Sequence, residues 1–271
     1  MKKITQNNKT NIYYFSGTGN SLHMAKCLKE KLDESELIPL AGLVKQNSIK
    51  ATSEKVGFIF PVYNYGIPNV VHNFVEKIDL SNTKYIFTLA TAGGPGKQLI
   101  IQQMNELLKP KNKQLDAAFI IKIFSAYIIT SYDVLHPKEK RERRIKKAEL
   151  KLDEIAEMIR NNTQGRRTKR TILPNMRGSY KSNMEKIHAE DENYYSDDKC
   201  NGCGICEKLC PVDNIKLVNE KPEWQHKCEQ CLRCLHYCPQ EAIQYGEHTL
   251  DRERYNHPNI KLKEFLNEKQ V

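Results

Sequence analysis

The chain has 271 residues, about right for two compact units, and its 39% of hydrophobic residues can build one ordinary core but not much more, with no apolar run that could span a bilayer. The formal charge of +10 invites a nucleic-acid partner, yet no base-stacking aromatics are interleaved with the basic runs, so we expect none. The basic start Met1-Lys2-Lys3-Ile4-Thr5 leads into polar Gln6-Asn7-Asn8-Lys9 rather than an apolar signal core, and we expect a cytoplasmic protein.

In chain order, strand and helix signals alternate through the first half. Asn11–Ser16 is an apolar β-rich run ending in a glycine turn, and Asn20–Leu32 has helical spacing with Leu22, Ala25, Leu28 and Leu32 near one face. Glu36–Leu40 reads as a short strand and Lys55–Pro61 as a buried one. Ile67–Ile78 reads as a helix, Lys84–Ala90 as a strand, Gly96–Leu108 as a helix and Leu115–Phe124 as the fifth strand. His136–Arg160 reads as one long amphipathic helix, with Ile145, Ala148, Leu152, Ile155 and Ile159 among its apolar positions. Five strands alternating with helices predict a parallel, doubly wound α/β sheet. The pattern then fails from Asn161 to Asp198, so we expect an α/β domain over 1–162 and a connector over 163–198. A short internal repeat follows in an α+β unit over 199–246, then a tail over 247–271 with a helix signal at Ile260–Asn267.

Eight of the nine cysteines lie in that repeat, which points to metal binding rather than disulfides. Cys200-x-x-Cys203-x-x-Cys206-x-x-x-Cys210-Pro211 is followed by Cys228-x-x-Cys231-x-x-Cys234-x-x-x-Cys238-Pro239. Paired CxxC units also build zinc ribbons, but zinc needs neither a third cysteine at this spacing nor a trailing Cys-Pro, each repeated. The runs resemble the bacterial ferredoxin ligand pattern, in which the fourth cysteine ligates the other cluster. The resemblance implies one 4Fe–4S cluster on Cys200, Cys203, Cys206 and Cys238, and another on Cys228, Cys231, Cys234 and Cys210. Gly202 and Gly204 would let amides approach the sulfurs of the first, whereas the second run carries Glu229, Gln230, Leu232 and Arg233. The two clusters are therefore expected to differ in potential. With four thiolates per cluster leaving roughly −2 each and a flavin phosphate about −2, the loaded charge falls to about +4.

Ser16-Gly17-Thr18-Gly19-Asn20-Ser21 joins the first strand to the first helix and offers amides, hydroxyls and a helix dipole to an anion. It lacks the Gly-Lys-Ser/Thr of a Walker loop, and Leu22 stands where a dinucleotide fingerprint has its third glycine. The loop resembles the flavodoxin phosphate site. The resemblance implies FMN on a 2-1-3-4-5 sheet, with phosphate contacts from Ser16, Thr18, Gly19, Asn20 and Ser21. A second loop, Pro61-Val62-Tyr63-Asn64-Tyr65-Gly66, would supply an aromatic to stack on the flavin, either Tyr63 or Tyr65. The alternative is that these tyrosines simply pack beneath the loop. A third, Thr91-Ala92-Gly93-Gly94-Pro95-Gly96, would bring amides to the ring edge but has no aromatic for its outer face. We expect the cysteine-rich unit or the connector to cover that face.

The whole chain is similar to the bacterial flavodoxin–ferredoxin fusion family, also called EF-type ferredoxin-domain proteins, from Asn11 to about Tyr245. The tail motif Arg254-Tyr255-Asn256-His257-Pro258 resembles the family's ending too. The resemblance implies an electron carrier between FMN and two clusters, with redox protein partners. The alternative is a reductase acting on a small substrate over the flavin, with Tyr63, Tyr65 or His72 as proton donor. Among other residues, Cys27 reads as a small buried apolar group. Trp224 either shields a cluster from water or simply packs. The basic stretches Lys138–Lys147 and Arg166–Arg170 read as a solvated face or a docking site for an acidic donor. His136 and His236 are assigned no role, and no catalytic set is evident.

Overall fold

The computed structural model describes residues 9–94, 97–131, 134–165, 182 and 186–270. The first half comprises β1 (Thr10–Tyr14), α1 (Asn20–Lys31), β2 (Ser35–Pro39), α2 (Leu40–Leu43), β3 (Ile49–Lys50) and β4 (Lys55–Pro61). It continues with α3 (Asn69–Lys77), β5 (Ile78–Asp79), β6 (Tyr85–Ala92), α4 (Lys97–Leu108), β7 (Ala117–Lys122), α5 (Lys138–Glu149) and α6 (Leu152–Arg160). Five of these strands form one parallel sheet in the order β2-β1-β4-β6-β7, while β3 and β5 pair only with each other. Strands β4 and β6 are apolar on both sides because helices cover both faces of the sheet. Register aligns Tyr14 with Ile59 and Pro61 with Thr91, so the loops after β1, β4 and β6 emerge along one edge. That edge holds the point where successive crossovers leave in opposite directions, where open α/β sheets bind ligands.

The segment expected as one helix over His136–Arg160 is two. At Leu150–Lys151 the backbone tightens, Lys151 N–H reaching only to Ala148 O at 3.2 Å. Leu150 is thereby turned out to 69% exposure, while Ile145, Ala148, Leu152, Ile155 and Ile159 stay buried. Gly96 and the basic stretch Arg166–Arg170 lie outside the described residues, as does most of the expected connector. The connector's last residues join the cysteine-rich unit: β8 (Tyr194–Ser196) pairs antiparallel with β11 (Ile243–Tyr245). Between them lie α7 (Ile205–Leu209), the hairpin β9 (Ile215–Val218) and β10 (Lys221–Trp224), and α8 (Arg233–His236). The tail ends in α9 (Leu262–Leu266) and a 3-10 turn.

The two units share a core. Leu209, Tyr237, Ile260 and Phe265 are buried in the same cluster as Leu22, Leu28, Leu152 and Ile159 on the α1/α6 face of the sheet. A second cluster fills the α3/α4 face, around Phe58, Phe60, Val71 and Phe74. Each large apolar side chain withdrawn from water contributes roughly 1.5–3 kcal/mol, so the docking of unit and tail onto the sheet is firmly held. No helix among the described residues is long and apolar enough to cross a membrane.

Candidate functional site

At the end of β1 the Ser16 hydroxyl accepts the Gly19 N–H at 3.1 Å, closing the loop on itself. Gly19 then takes a left-handed conformation, φ 100°, and α1 starts at Asn20 with no side-chain cap and no acid in its first turn. A helix start built this way presents amides and a positive dipole end to the space in front of it, which suits a phosphate. The Ser21 and Thr91 hydroxyls meet at 2.8 Å and tie this loop to the third. Behind the loop, Ser16 O accepts Arg233 Nη2 at 2.5 Å, and Thr18 O accepts the Tyr237 hydroxyl and the His257 N–H, each at 3.3 Å.

The second loop is a tight hairpin turn. Tyr63 and Gly66 exchange both backbone hydrogen bonds, at 3.0 and 2.8 Å, with Asn64 at φ 44° and Tyr65 at φ 69°. The two tyrosines consequently part. Tyr63 turns under the loop, edge-on to Phe15 at 6.2 Å, and burial pushes its phenol well above its ordinary pKa. Tyr65 stands at the tip, 48% exposed. In the third loop Gly93 lies so close to the Ser125 backbone that a Cβ there would sit 2.5 Å from its nitrogen.

These loops enclose a cleft of about 320 Å³ lined by Ser16, Gly17, Thr18, Asn20, Ser21, Pro61, Tyr63, Asn64, Tyr65, Thr91, Gly93 and Gly94. Gly19, Gly66 and Ala92, expected beside them, do not line it: Gly19 and Gly66 act through the backbone turns above, and Ala92 is buried in β6. Asn20 spends its side-chain oxygen on the Tyr255 hydroxyl at 2.8 Å. Further lining comes from outside the expected loops, from Phe124–Tyr127 after β7, Ile187 and Glu229–Leu232 of the second cysteine run. Tyr127 donates to Gln230 Oε1 at 2.9 Å, and Gln230 Nε2 donates to Glu190 at 2.5 Å. Glu229 accepts the Asn69 and Val70 amides at the start of α3, while burial pushes its carboxyl up to about 7. The cysteine-rich unit thus supplies part of the cleft's lining.

The eight cysteines line two cavities. Cys200, Cys203, Cys206 and Cys238 surround one; Cys210, Cys228, Cys231 and Cys234 surround the other. Each run thus contributes three cysteines to one cavity and its fourth to the other. Backbone amides point at sulfurs in both cavities, among them Asn214 N–H to Cys210 at 3.1 Å, and Gln230 N–H to Cys228 and Ala242 N–H to Cys238, both at 3.3 Å. Gly202 and Gly204 are left-handed, at φ 69° and 71°, and so are their counterparts Gln230 and Leu232, at 46° and 57°. The second run therefore keeps the turn geometry without the glycines. Burial pushes Cys231 up to about 12 against the opposing pull of the Arg233 guanidinium, and burial likewise pushes Cys206 up to about 11. Such thiols shed their protons only to a cation, and four sulfurs around a cavity with amides aimed at them fit a 4Fe–4S cluster. Trp224 lines the second cavity and stacks on Tyr194 at 5.5 Å.

Ser125 and Tyr127 carry no motif and escape a sequence reading, while Arg233 and His257 stand in quoted motifs that assign them no role; only position after a strand or beside a cysteine could have drawn notice. His236, also left without a role, donates from Nε2 to Ala126 O at 2.8 Å and accepts Tyr255 N–H at Nδ1 at 3.0 Å. His72 is not among the cleft-lining residues. Cys27 is half-buried, its sulfur 3.6 Å from His23 Nε2, which contacts Glu149 at 2.5 Å.

A family model described as a 4Fe-4S binding domain matches residues 194–216. An uncharacterized polyferredoxin-like protein of Methanocaldococcus jannaschii is 42% identical over 48 residues, 17% of this chain and 20% of that protein. The chain therefore spans about a fifth of the length of this curated relative. Among solved structures, a flavone reductase has TM-score 0.36 and 13% identity, over 83% of this chain and 86% of that one. An FMN-dependent NADH-azoreductase of Bacillus anthracis has TM-score 0.33 and 12% identity, over 55% of this chain and 100% of that one. An NAD(P)H:quinone oxidoreductase of Methanothermobacter marburgensis has TM-score 0.35 and 10% identity, over 54% of this chain and 96% of that one. At such scores these likenesses carry no weight for activity. The chain bears a 4Fe–4S binding segment beside an α/β unit with a central five-stranded parallel sheet.

Proposed function

We propose that the chain is a cytoplasmic electron-transfer protein that carries FMN in the cleft and two 4Fe–4S clusters in the cysteine-lined cavities. It would link one-electron carriers to a two-electron redox partner. Counting only the strands of the main sheet, the order reads 2-1-3-4-5, with the cleft at the strand ends where flavodoxins hold their flavin. The observation that carries the proposal is the shared wall: loops of the sheet and residues Glu229–Leu232 bound one cleft. An FMN exchanges one or two electrons and a 4Fe–4S cluster one, so the pairing suits an adaptor.

The chain's own residues then have separable tasks. The Ser16–Ser21 loop and the start of α1 would bind the phosphate, and Tyr65, the aromatic left free of packing beneath the loop, would cover the flavin. Cys231 sits against Gly17, which makes the Cys210/Cys228/Cys231/Cys234 cavity the proximal one. Cys203 is exposed, which makes its cavity the entry point for an external carrier.

Anaerobic purification should yield about eight irons and one FMN per chain. Cys203→Ser should slow exchange with an external ferredoxin-type carrier while leaving FMN bound, whereas Cys231→Ser should disturb FMN as well. Colourless protein, or zinc in place of iron, would sink the proposal. A second reading, a reductase with its own small substrate, is favoured by an open hollow of about 460 Å³ that shares Asn64, Tyr127, Ile187 and Gln230 with the cleft. Turnover of small acceptors by the reduced protein without any partner would decide for it.

A further inference from the structure

The loop facing the cleft is fixed from behind by the cysteine-rich unit and the tail. Arg233, 1% exposed, spreads its guanidinium over three fixed acceptors: Ser16 O at 2.5 Å, Glu268 Oε2 at 2.8 Å and Leu209 O at 3.3 Å. It also lies 4.1 Å above the Phe265 ring. Only a planar fork of several donors spans such a set, and a lysine could not. The Ser16–Gly17 peptide is a rigid plane with its oxygen and N–H on opposite sides. Holding Ser16 O back toward Arg233 turns the Gly17 N–H the other way, and Gly17 lines the cleft. Tyr237 and His257 hold Thr18 O in the same manner, which leaves the Gly19 N–H on the Ser16 hydroxyl and fixes its direction.

Arg233 immediately precedes Cys234, and its acceptor Leu209 immediately precedes Cys210; both cysteines line the proximal cavity. We infer that Arg233 is a positioning residue that makes FMN binding depend on metal loading of that cavity. The cysteine run sets Arg233, and Arg233 sets the donor face of the phosphate loop. The dependence is reciprocal, because a coupling free energy between two binding sites acts equally in both directions. The inference rests on the proposal that FMN and 4Fe–4S clusters occupy these sites.

The test uses the full chain, purified anaerobically with its iron, stripped of flavin and titrated with FMN by fluorescence quenching. Arg233→Met should keep its iron yet bind FMN at least roughly 10-fold more weakly, and Arg233→Lys should recover part of the loss. Tyr237→Phe removes one hydroxyl from Thr18 O without leaving a buried charge unpaired. It should weaken FMN by roughly 3–5-fold, which keeps the inference testable if Arg233→Met does not fold. In the wild type, FMN should slow release of about half of the iron to a chelator, and in Arg233→Lys that protection should shrink. Wild-type affinity in both Arg233→Lys and Tyr237→Phe, or iron release indifferent to FMN, would overturn the inference alone. Iron-loaded wild type that takes up no FMN would overturn it together with the flavin proposal.

Discussion

A methyl group added at Gly17 would sit 2.3 Å from the Cys231 carbonyl oxygen and 2.7 Å from the Tyr63 hydroxyl. The first of these is backbone and cannot swing away, so Gly17→Ala must part the sheet's first loop from the cysteine run. We expect it to lower FMN affinity by more than about tenfold while the sheet stays folded. Leu150→Ala, at an exposed turn away from the cleft, is the control and should bind as wild type. Titration of the two purified variants with FMN checks both. The sequence marks Gly17 as part of a loop, but gives no hint that its missing side chain makes room for Cys231. Likewise it offers Tyr63 and Tyr65 as equals, and only the turn geometry sends one beneath the loop and the other to its tip.

Among the elements, the turn of the second loop sets two demands against each other. A left-handed pair at Asn64 and Tyr65 is the geometry that Asn-Gly favours, and a tyrosine at the second position is strained. Tyr65→Gly should therefore raise stability by roughly 0.5–1 kcal/mol while weakening FMN binding several-fold through loss of the ring. Thermal unfolding and flavin titration moving in opposite directions would show the residue kept for binding rather than folding. Helix periodicity located the buried positions of α5 and α6 correctly but not the turn between them, because neither proline nor glycine marks it. The strand β8 was equally hidden: three residues in a polar stretch become a strand only through pairing with β11, some fifty residues on.

Across the whole molecule, the sheet's loop, the segment after β7 and the tail meet at two buried histidines. His236, beneath Ala126, is pushed down to about 4 by burial; His257, packed over Gly19 and stacked on His23 at 4.1 Å, is pushed down to about 3 by burial and then by His23 and Lys26. Both are neutral in the fold, whereas in an unfolded chain each would titrate near 6.5. Below that pH the unfolded chain binds more protons. The stability these two histidines contribute is thus complete above about pH 7 and falls as pH drops from about 6.5 toward 4, by roughly 2–3 kcal/mol for His236. The raised carboxyl of Glu229 works the other way and favours the fold as pH falls below about 7. In anaerobic thermal unfolding from about pH 8 to 5.5 the stability gap between wild type and His257→Gln should narrow as pH falls, because the variant has no neutral imidazole to lose; a gap that stays constant would contradict the assignment. Removing iron with a chelator should loosen the cysteine-rich unit and, through the shared core, lower the unfolding temperature of the sheet as well.

What the sequence determined by itself is local or periodic. Cysteine spacing identifies the iron–sulfur run, alternating apolar segments predict the parallel sheet, and glycine–hydroxyl turns after strands point to an anion loop. Each is set by residues a few positions apart, which is why it can be read along the chain. The tertiary structure alone decided how the two units meet: Arg233 on Ser16, Cys231 on Gly17, Gln230 on Tyr127, and Leu209 and Phe265 in the sheet's core. Those partners stand from about fifty to more than two hundred residues apart, and nothing in the identity of an arginine or a leucine names its distant partner before packing brings them together.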